Sequence, residues 1–126
     1  MNANDSIKRY SRQIILKEVG GQGQKLLMKS KVLIIGLGGL GSPVLQYLAA
    51  SGVGTIGLAD NDKVDLSNLH RQIIFSLKDI GSYKVSKAKK FISAVNPDIN
   101  VIPYKKKVDL LNVDKIISEY DIIVDC

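Results

Sequence analysis

The feature that most constrains the fold of this chain is a glycine-rich turn, Gly36-Leu37-Gly38-Gly39-Leu40-Gly41. It directly follows an apolar, β-branched run over residues 31–35, which is typical of a strand buried on both faces. It precedes residues 43–51, whose apolar positions are spaced for one face of a helix. Glycine permits a tight turn and the close approach of a phosphate, and the helix then offers free N–H groups at its positive end. The motif therefore predicts a phosphate-binding turn, with a tight turn that binds nothing as the alternative.

The rest of the chain alternates between predicted strands and helices. Further strands are predicted at residues 55–59, 100–104 and 122–124, and further helices at residues 82–95 and 110–118. Residues 61–80 are predicted to be irregular, and residues 7–28 to form two helices separated by a break at the glycines of residues 20–23. We expect a Rossmann-like α/β domain over residues 31–126, with a mostly parallel sheet and flanking helices, preceded by a helical arm over residues 1–30.

A carboxylate and two cations extend the glycine-rich turn into a candidate nucleotide site. Asp60 ends the second predicted strand, 19 residues after Gly41, where a carboxylate accepts hydrogen bonds from ribose hydroxyls. The long polar segment that follows contains Arg71, and Lys84 lies on the next predicted helix. Both cations are candidates for binding a polyphosphate. These residues predict an adenine nucleotide, and on this evidence both ATP and a nicotinamide cofactor fit them.

Composition narrows the alternatives. The 126 residues carry a net charge of +6, but none of the seven aromatic residues lies among the cations as a base-stacking surface requires, so we expect no nucleic-acid partner. No apolar run reaches about 18 residues and no secretory signal is visible, so we expect a cytoplasmic protein without a membrane anchor. His70 is the single histidine and Cys126 the single cysteine, so we expect no protein-bound metal site.

Six short segments along the chain form a recognisable series. They are Arg9-Tyr10-Ser11-Arg12-Gln13, the glycine-rich turn, Ser67-Asn68-Leu69-His70-Arg71-Gln72, Gly81 with Lys84, Asn96-Pro97 and Asp125-Cys126. In this order they resemble the MoeB/ThiF/HesA family of adenylyltransferases, the bacterial relatives of ubiquitin-activating enzymes. The resemblance extends over nearly the whole chain.

This resemblance implies an activity and its ligands. Such enzymes bind ATP and Mg²⁺ and adenylate the C-terminal glycine of a ubiquitin-like sulfur-carrier protein that ends in Gly-Gly, in the biosynthesis of molybdopterin or thiamine. The resemblance implies that Arg71 and Lys84 bind the triphosphate as catalytic residues, and that Arg12 is lent across a homodimer interface as a third. It also implies nucleotide contacts for the remaining candidates, which are Gly36, Gly38, Gly39, Gly41, Asp60, Asp62 and Asn68. It implies no catalytic role for His70 or Cys126.

The sequence also departs from the family. The family's magnesium-binding aspartate lies beyond Cys126, and its Cys-x-x-Cys zinc motifs do not occur in these 126 residues. We therefore expect a truncated half-domain, incomplete at its C-terminus, with weak or no activity alone. Two alternatives remain open: a catalytically inactive nucleotide-binding module, and the NAD-binding half of an oxidoreductase.

Overall fold

The computed structural model describes residues 3–126, which form one parallel sheet with helices on both faces. The strands are β1 (Lys31–Ile35), β2 (Thr55–Ala59), β3 (Asn100–Tyr104) and β4 (Ile122–Asp125), and they lie in the order β3-β2-β1-β4. The α-helices of the described range are α1 (Ala3–Ile14), α2 (Gly20–Lys29), α3 (Gly41–Ser51), α4 (Lys84–Val95) and α5 (Val113–Ile117). Each neighbouring pair of strands is parallel, so the predicted Rossmann-like class is confirmed.

The central strand β1 is apolar on both faces, as a strand between two helical layers requires. On one face Ile34 belongs to the larger core cluster, together with Leu45 of α3 and Ile92 of α4. On the other face Leu33 packs with Ile116 of α5 in a smaller cluster. The two clusters hold β1 at the centre of the sheet, and they thereby fix the position of the glycine-rich turn that follows it.

Most of the predicted elements lie close to those observed. The first three strands have the predicted bounds, while α3 begins two residues earlier than predicted and α4 two residues later. The helix α5 is shorter than predicted because the residues before it form a turn. In that turn Asn112 Oδ1 accepts the Asp109 N–H at 3.1 Å, and Asp109 Oδ1 accepts the Leu111 N–H at 2.9 Å. The segment at residues 61–80 is irregular as predicted, apart from two three-residue 3-10 turns.

The predicted helix break at residues 20–23 is wrong. The interruption between the two N-terminal helices falls at residues 15–19, and the glycines belong to the first turns of α2. Gly23 lies against Val19, since a Cβ at this glycine would be 3.2 Å from Val19 Cγ1. The next residue, Gln24, is buried and hydrogen-bonded to Gln13 of α1. The tertiary hydrogen bonds of Gln24 to Gln13 and Ser51 outweigh the low helix propensity of the glycines.

Side-chain hydrogen bonds attach α1 and α2 to the helical layer. Asn96 Nδ2, at the end of α4, donates to Tyr10 Oη at 2.8 Å. Gln13 and Gln24 both donate to the carbonyl oxygen of Ser51, at 2.7 and 3.1 Å. Because Ser51 ends α3 and the glycine-rich turn begins it, α1 is docked at the end of α3 that lies away from that turn.

The strand β4 forms one edge of the described sheet. Its Ile122 and Ile123 side chains are partly exposed. An edge strand presents unpaired main-chain groups, so this side of the sheet is open to pairing with a further strand. Within residues 3–126, no helix combines the length and the apolar character that a membrane span requires.

Candidate functional site

The glycine-rich turn connects β1 to α3 through contacts that exclude side chains. Gly36 has a φ of +92°, in the left-handed region, and a Cβ there would lie 2.6 Å from the carbonyl oxygen of Cys126. A Cβ on Gly41 would lie 1.9 Å from the carbonyl oxygen of Gly36. Pro43 follows in the first turn of α3, where the fixed φ of proline suits the start of a helix. The path of the main chain therefore requires glycine at positions 36 and 41.

The N–H groups of this turn form a cradle for an anion. The helix α3 has no side-chain cap, and its first main-chain bond runs from the Ser42 N–H to the Gly38 carbonyl oxygen at 3.1 Å. Within residues 3–126, the N–H groups of residues 38–40 have no hydrogen-bond acceptor. The N-terminus of this 11-residue helix carries partial positive charge. Open N–H groups at such a position are suited to a phosphate.

Asp60 links the glycine-rich turn to the segment that follows β2. Its Oδ2 accepts the Leu37 N–H at 2.8 Å, and its Oδ1 accepts the Asp62 N–H at 2.7 Å. The Asp60 N–H itself donates to the carbonyl oxygen of Tyr104, at the end of β3. Each carboxylate oxygen has a second lone pair. The carboxylate is therefore able to hold the turn in place and still accept a hydrogen bond from a ribose hydroxyl.

The polar segment after β2 is organised by a capped 3-10 turn. Asn68 Oδ1 accepts the Asp65 N–H at 2.9 Å, and Asp65 Oδ1 accepts the Ser67 N–H at 2.8 Å. Hydrogen bonds from the hydroxyl and the N–H of Ser67 hold the pKa of the Asp65 carboxyl below its ordinary value. The side-chain oxygen of Asn68 thus serves the fold, and a nucleotide contact by this residue is left to its amide N–H groups.

This turn places Arg71 against the glycine-rich turn. The Arg71 Nη1 donates to the carbonyl oxygen of Ser67 at 3.0 Å, which anchors one corner of the guanidinium. The Arg71 Cδ lies 3.4 Å from the position that a Cβ on Gly39 would occupy. The absence of a side chain at Gly39 therefore lets the stem of Arg71 lie directly beside the open N–H groups. The guanidinium keeps further N–H donors for a ligand.

Lys84 is a buried cation at the start of α4. Its side chain is only 6% exposed, and its Nζ lies 3.7 Å from Oδ2 of Asp62, whose side chain is 66% exposed. The Lys84 N–H donates to the Asp62 carbonyl oxygen at 3.0 Å, which fixes the start of α4 beside the segment after β2. This long ion pair is the one that Lys84 makes within the described range. A buried ammonium with so little compensation is a strong partner for an arriving anion.

The structure brings most of the predicted site residues to one edge of the sheet, and Arg12 is the exception. Arg12 is exposed on α1, and its neighbour Gln13 is bonded to Ser51 at the far end of α3. The 11 residues of α3 span about 16 Å. Arg12 of the same chain therefore lies outside the cluster around the glycine-rich turn.

The single histidine and cysteine both lie near the cluster. His70 Nδ1 is 3.0 Å from the carbonyl oxygen of Ser67. Burial, and then the nearby Asp125 carboxylate, raise the pKa of the Cys126 thiol. Cys126 is exposed, and the raised pKa disfavours its thiolate form near neutral pH.

Two buried polar side chains that border the turn were not predicted. Ser42 and Gln72 are almost fully buried, and neither Ser42 Oγ nor Gln72 Oε1 has a hydrogen-bond partner among residues 3–126. Their positions in the sequence could have identified them, because Ser42 directly follows the glycine motif and Gln72 directly follows Arg71.

Comparison with known proteins relates this geometry to a family. Residues 10–126 match the ThiF family. A probable molybdopterin-synthase adenylyltransferase of Gracilaria tenuistipitata var. liui is 48% identical over 118 residues, which cover 94% of this chain and 33% of that protein. The SAMP-activating enzyme E1 of Haloferax volcanii is 44% identical over 119 residues, which cover 94% of this chain and 44% of that protein. The chain thus spans less than half the length of these relatives.

A solved structure has the same architecture in the presence of a nucleotide. The E. coli tRNA N6-threonylcarbamoyladenosine dehydratase TcdA in complex with ATP has a TM-score of 0.92 and 26% sequence identity to this chain. The similarity covers 100% of this chain and 51% of that one. On the match over residues 10–126, and with these relatives, the chain belongs to the ThiF family.

Proposed function

We propose that this chain is the nucleotide-binding part of an enzyme that uses ATP to adenylate the C-terminal glycine of a ubiquitin-like sulfur-carrier protein. The observation that carries the proposal is the arrangement of Arg71 beside the open N–H groups of the glycine-rich turn. Lys84 is linked to the same turn through Asp62 and Asp60. The names of two relatives, an adenylyltransferase and an activating enzyme, support it.

The residues present fit a nucleoside triphosphate. The open N–H groups of residues 38–40 are donors suited to phosphate oxygens, and they stand at a positive helix end. Arg71 and Lys84 add two positive charges, one as a planar fork of donors and one as a point charge. Asp60 lies at the carboxyl end of β2, where a ribose is held in nucleotide-binding folds of this type.

Mg²⁺ fits this site chiefly through the triphosphate. The ion prefers oxygen ligands and commonly takes only one or two carboxylates beside substrate phosphates. Within the described residues, no cluster of three or more His, Cys, Asp or Glu side chains is suited to holding a metal. Asp62 is an exposed carboxylate beside Lys84, and its side chain is a candidate to assist.

The residues of the site act on charge rather than on protons. In adenylation, a carboxylate oxygen forms a bond to the α-phosphorus while the bond to the bridging oxygen breaks and pyrophosphate leaves. A carboxylate is already ionised near pH 7, so the step needs no general base and none is assigned to His70. Arg71 and Lys84 stabilise the negative charge that grows on the phosphate oxygens, and the open N–H groups orient them.

Arg12 enters this proposal through a second copy of the chain. It is exposed on α1, away from the site of its own chain, so a homodimer is the arrangement in which it contributes. Sedimentation of the protein with and without ATP–Mg²⁺ measures the oligomeric state. A strictly monomeric protein in both conditions would remove Arg12 from the proposed machinery.

A nucleotide titration tests the binding part of the proposal against the oxidoreductase alternative. The thermal midpoint is measured with ATP–Mg²⁺, with NAD and with no ligand. We expect ATP–Mg²⁺ to raise it, because a ligand at 100 times its Kd stabilises a protein by about 2.7 kcal/mol. A larger rise with NAD than with ATP would overturn the proposal in favour of a dinucleotide.

Pyrophosphate exchange into ATP tests the catalytic part. We expect little exchange by residues 1–126 alone, even when ATP binds and a carrier protein ending in Gly-Gly is present. Exchange that depends strongly on such a carrier would contradict this expectation and would show that residues 1–126 suffice for adenylation. Binding without exchange in any longer protein that contains this chain would favour the inactive-module alternative.

A further inference from the structure

Two lysine side chains from different connections converge on one aromatic ring. Lys63 follows β2 and Lys105 follows β3, and the Nζ of each lies 5.2 Å from the centroid of the Tyr83 ring. A cation–π contact holds an ammonium group in place. Because the ring carries no net charge, it leaves the positive charge of the ammonium unneutralised, unlike a salt bridge. Two like charges are therefore held close together at the surface.

No carboxylate compensates these two charges within residues 3–126. The lysines of that range that form an ion pair with a carboxylate are Lys84, with Asp62, and Lys87, with Asp79. The two lysines on the ring are exposed, and so are the next two residues of the run after β3. These four side chains form what we call the lysine patch: Lys63, Lys105, Lys106 and Lys107.

The lysine patch is continuous with the candidate nucleotide site. The Asp60 N–H donates to the Tyr104 carbonyl oxygen at 3.2 Å, and the Lys84 N–H donates to the Asp62 carbonyl oxygen at 3.0 Å. One lysine of the patch directly follows Tyr104, and another directly follows Asp62. Consecutive Cα atoms are about 3.8 Å apart, whereas charges in about 0.1 M salt act over about 10 Å. The field of the patch therefore extends over the site.

The position of the patch suits an action on the free ligand rather than on the bound one. The open N–H groups follow β1, and β2 lies between β1 and β3 in the sheet. The lysines after β3 therefore lie beyond Asp60, on the side away from the phosphate cradle. Positive charge beside a cleft raises the local concentration of an anionic ligand and the rate of association.

We propose that the lysine patch is a steering surface for the nucleotide, which draws the polyphosphate to this edge of the sheet and raises its association rate. This inference rests on the proposed function, because it requires that the site binds a nucleotide. A nucleic acid is another polyanion, but its bases stack on successive aromatic rings. The patch contains the single ring of Tyr83, with both lysines placed over it, and this favours the nucleotide.

The test compares two doubly substituted chains of equal net charge. Lys63→Gln with Lys105→Gln removes the two ammonium groups on the ring. Lys25→Gln with Lys29→Gln removes two exposed charges of α2. The end of α2 lies beside the start of β2, at the opposite edge of the sheet, because the Thr55 N–H donates to the Ser30 carbonyl oxygen. Thermal midpoints verify that each variant is folded.

Stopped-flow mixing with a fluorescent ATP analogue and Mg²⁺ gives the association rate constant, and a chase with excess ATP gives the dissociation rate constant. At low ionic strength we expect the patch variant to associate about five-fold more slowly than the unsubstituted chain, with an unchanged dissociation rate constant. We expect the α2 variant to match the unsubstituted chain. Lys63→Arg with Lys105→Arg should also match it, because the charge is kept.

The dependence on salt separates steering from contact. In about 1 M salt the screening length falls to about 3 Å, so the difference between the patch variant and the unsubstituted chain should disappear. A difference that persists there, or a faster dissociation with an unchanged association rate, would show that the lysines contact the bound nucleotide and would overturn the inference.

The remaining outcomes distinguish this inference from the proposed function. Equal association rates for the patch variant and the unsubstituted chain would overturn the steering role while the proposed function stands. A single-stranded oligonucleotide that binds the unsubstituted chain and not the patch variant, together with equal ATP association rates, would assign the patch to nucleic acid instead. Failure of the unsubstituted chain to bind ATP would overturn the proposed function and this inference together.

Discussion

Replacement of Gly41 by alanine tests whether the main chain itself requires glycine at the entry to α3. The new methyl group would lie 1.9 Å from the carbonyl oxygen of Gly36 and 2.9 Å from its carbonyl carbon. Ordinary contact begins at 3.4 Å, so the two segments must move apart by about 1.5 Å. The atom in the way belongs to the main chain and is held between β1 and α3, and it has no side-chain rotation with which to move aside.

The expected cost follows from this displacement. Overpacking a rigid site costs about 1–3 kcal/mol and occasionally more. The displacement of Gly36 also disturbs the hydrogen bond from the adjacent Leu37 N–H to Asp60. We therefore expect Gly41→Ala to lower the free energy of unfolding by about 3 kcal/mol. For a chain of this size, that corresponds to a fall of roughly 12 °C in the thermal midpoint.

Gly39→Ala is the matched control within the same turn. Its methyl group would lie 3.4 Å from Arg71 Cδ and 3.5 Å from Arg71 Cγ, which are atoms of a flexible, exposed side chain. We expect its midpoint to stay within about 3 °C of the unsubstituted chain, while ATP–Mg²⁺ binds about ten-fold more weakly because the methyl crowds the phosphate cradle. Differential scanning calorimetry and isothermal titration measure the two quantities. Equal midpoints for the Gly41 and Gly39 variants would refute the steric argument.

Substitutions at the remaining side chains of the site have separate expected effects. Arg71→Ala should weaken ATP binding by about 10- to 100-fold, as expected for a lost hydrogen bond to a charged group. As a control, substitution of the exposed Lys89 of α4 by alanine should leave the Kd unchanged in the same titration. Asp60→Asn should lower stability in urea by about 1.5–3 kcal/mol, because two N–H groups lose a charged acceptor; an unchanged urea midpoint would contradict this. Alkylation of Cys126 by iodoacetamide at pH 8 should be slower than that of free cysteine and should accelerate as the pH rises, because its pKa is raised; a rate equal to that of free cysteine would show that the thiol is unshielded.

The strands of this fold were predictable because the local sequence pattern favours the same structure as the packing of the folded protein requires. The run at residues 31–35 is apolar and β-branched, and the central position of β1 buries both of its faces. The break at residues 20–23 was not predictable in this way, because the contacts that keep these glycines helical come from elsewhere. Gln24 is held by Gln13 of α1 and by Ser51 of α3, which are 11 and 27 residues away in sequence.

The candidate site was also predictable only in part. The sequence identifies its candidate residues by their chemistry and their order along the chain, and these are the glycine motif, Asp60, Arg71 and Lys84. Their assignment to the nucleotide stays a prediction. What required the structure is the set of contacts between distant segments. Examples are the Leu37 N–H on Asp60, 23 residues away, and the burial of Lys84 beside Asp62. No periodicity in the sequence encodes such pairs, because each depends on how two connections meet at one edge of the sheet.

The strand order gives an independent physical reason for the location of this site. From β1 the chain adds β2 and β3 on one side and then returns to place β4 on the other side of β1. In open parallel sheets the connections diverge at such a reversal, which leaves a crevice outside the carboxyl ends of the two strands. Here the crevice lies between the ends of β1 and β4, where Gly36 meets the Cys126 main chain. The glycine-rich turn opens into this crevice with its N–H groups free. Any side chain that forced Gly36 away from Cys126 would therefore disturb the ligand cradle and the β1–β4 pairing together.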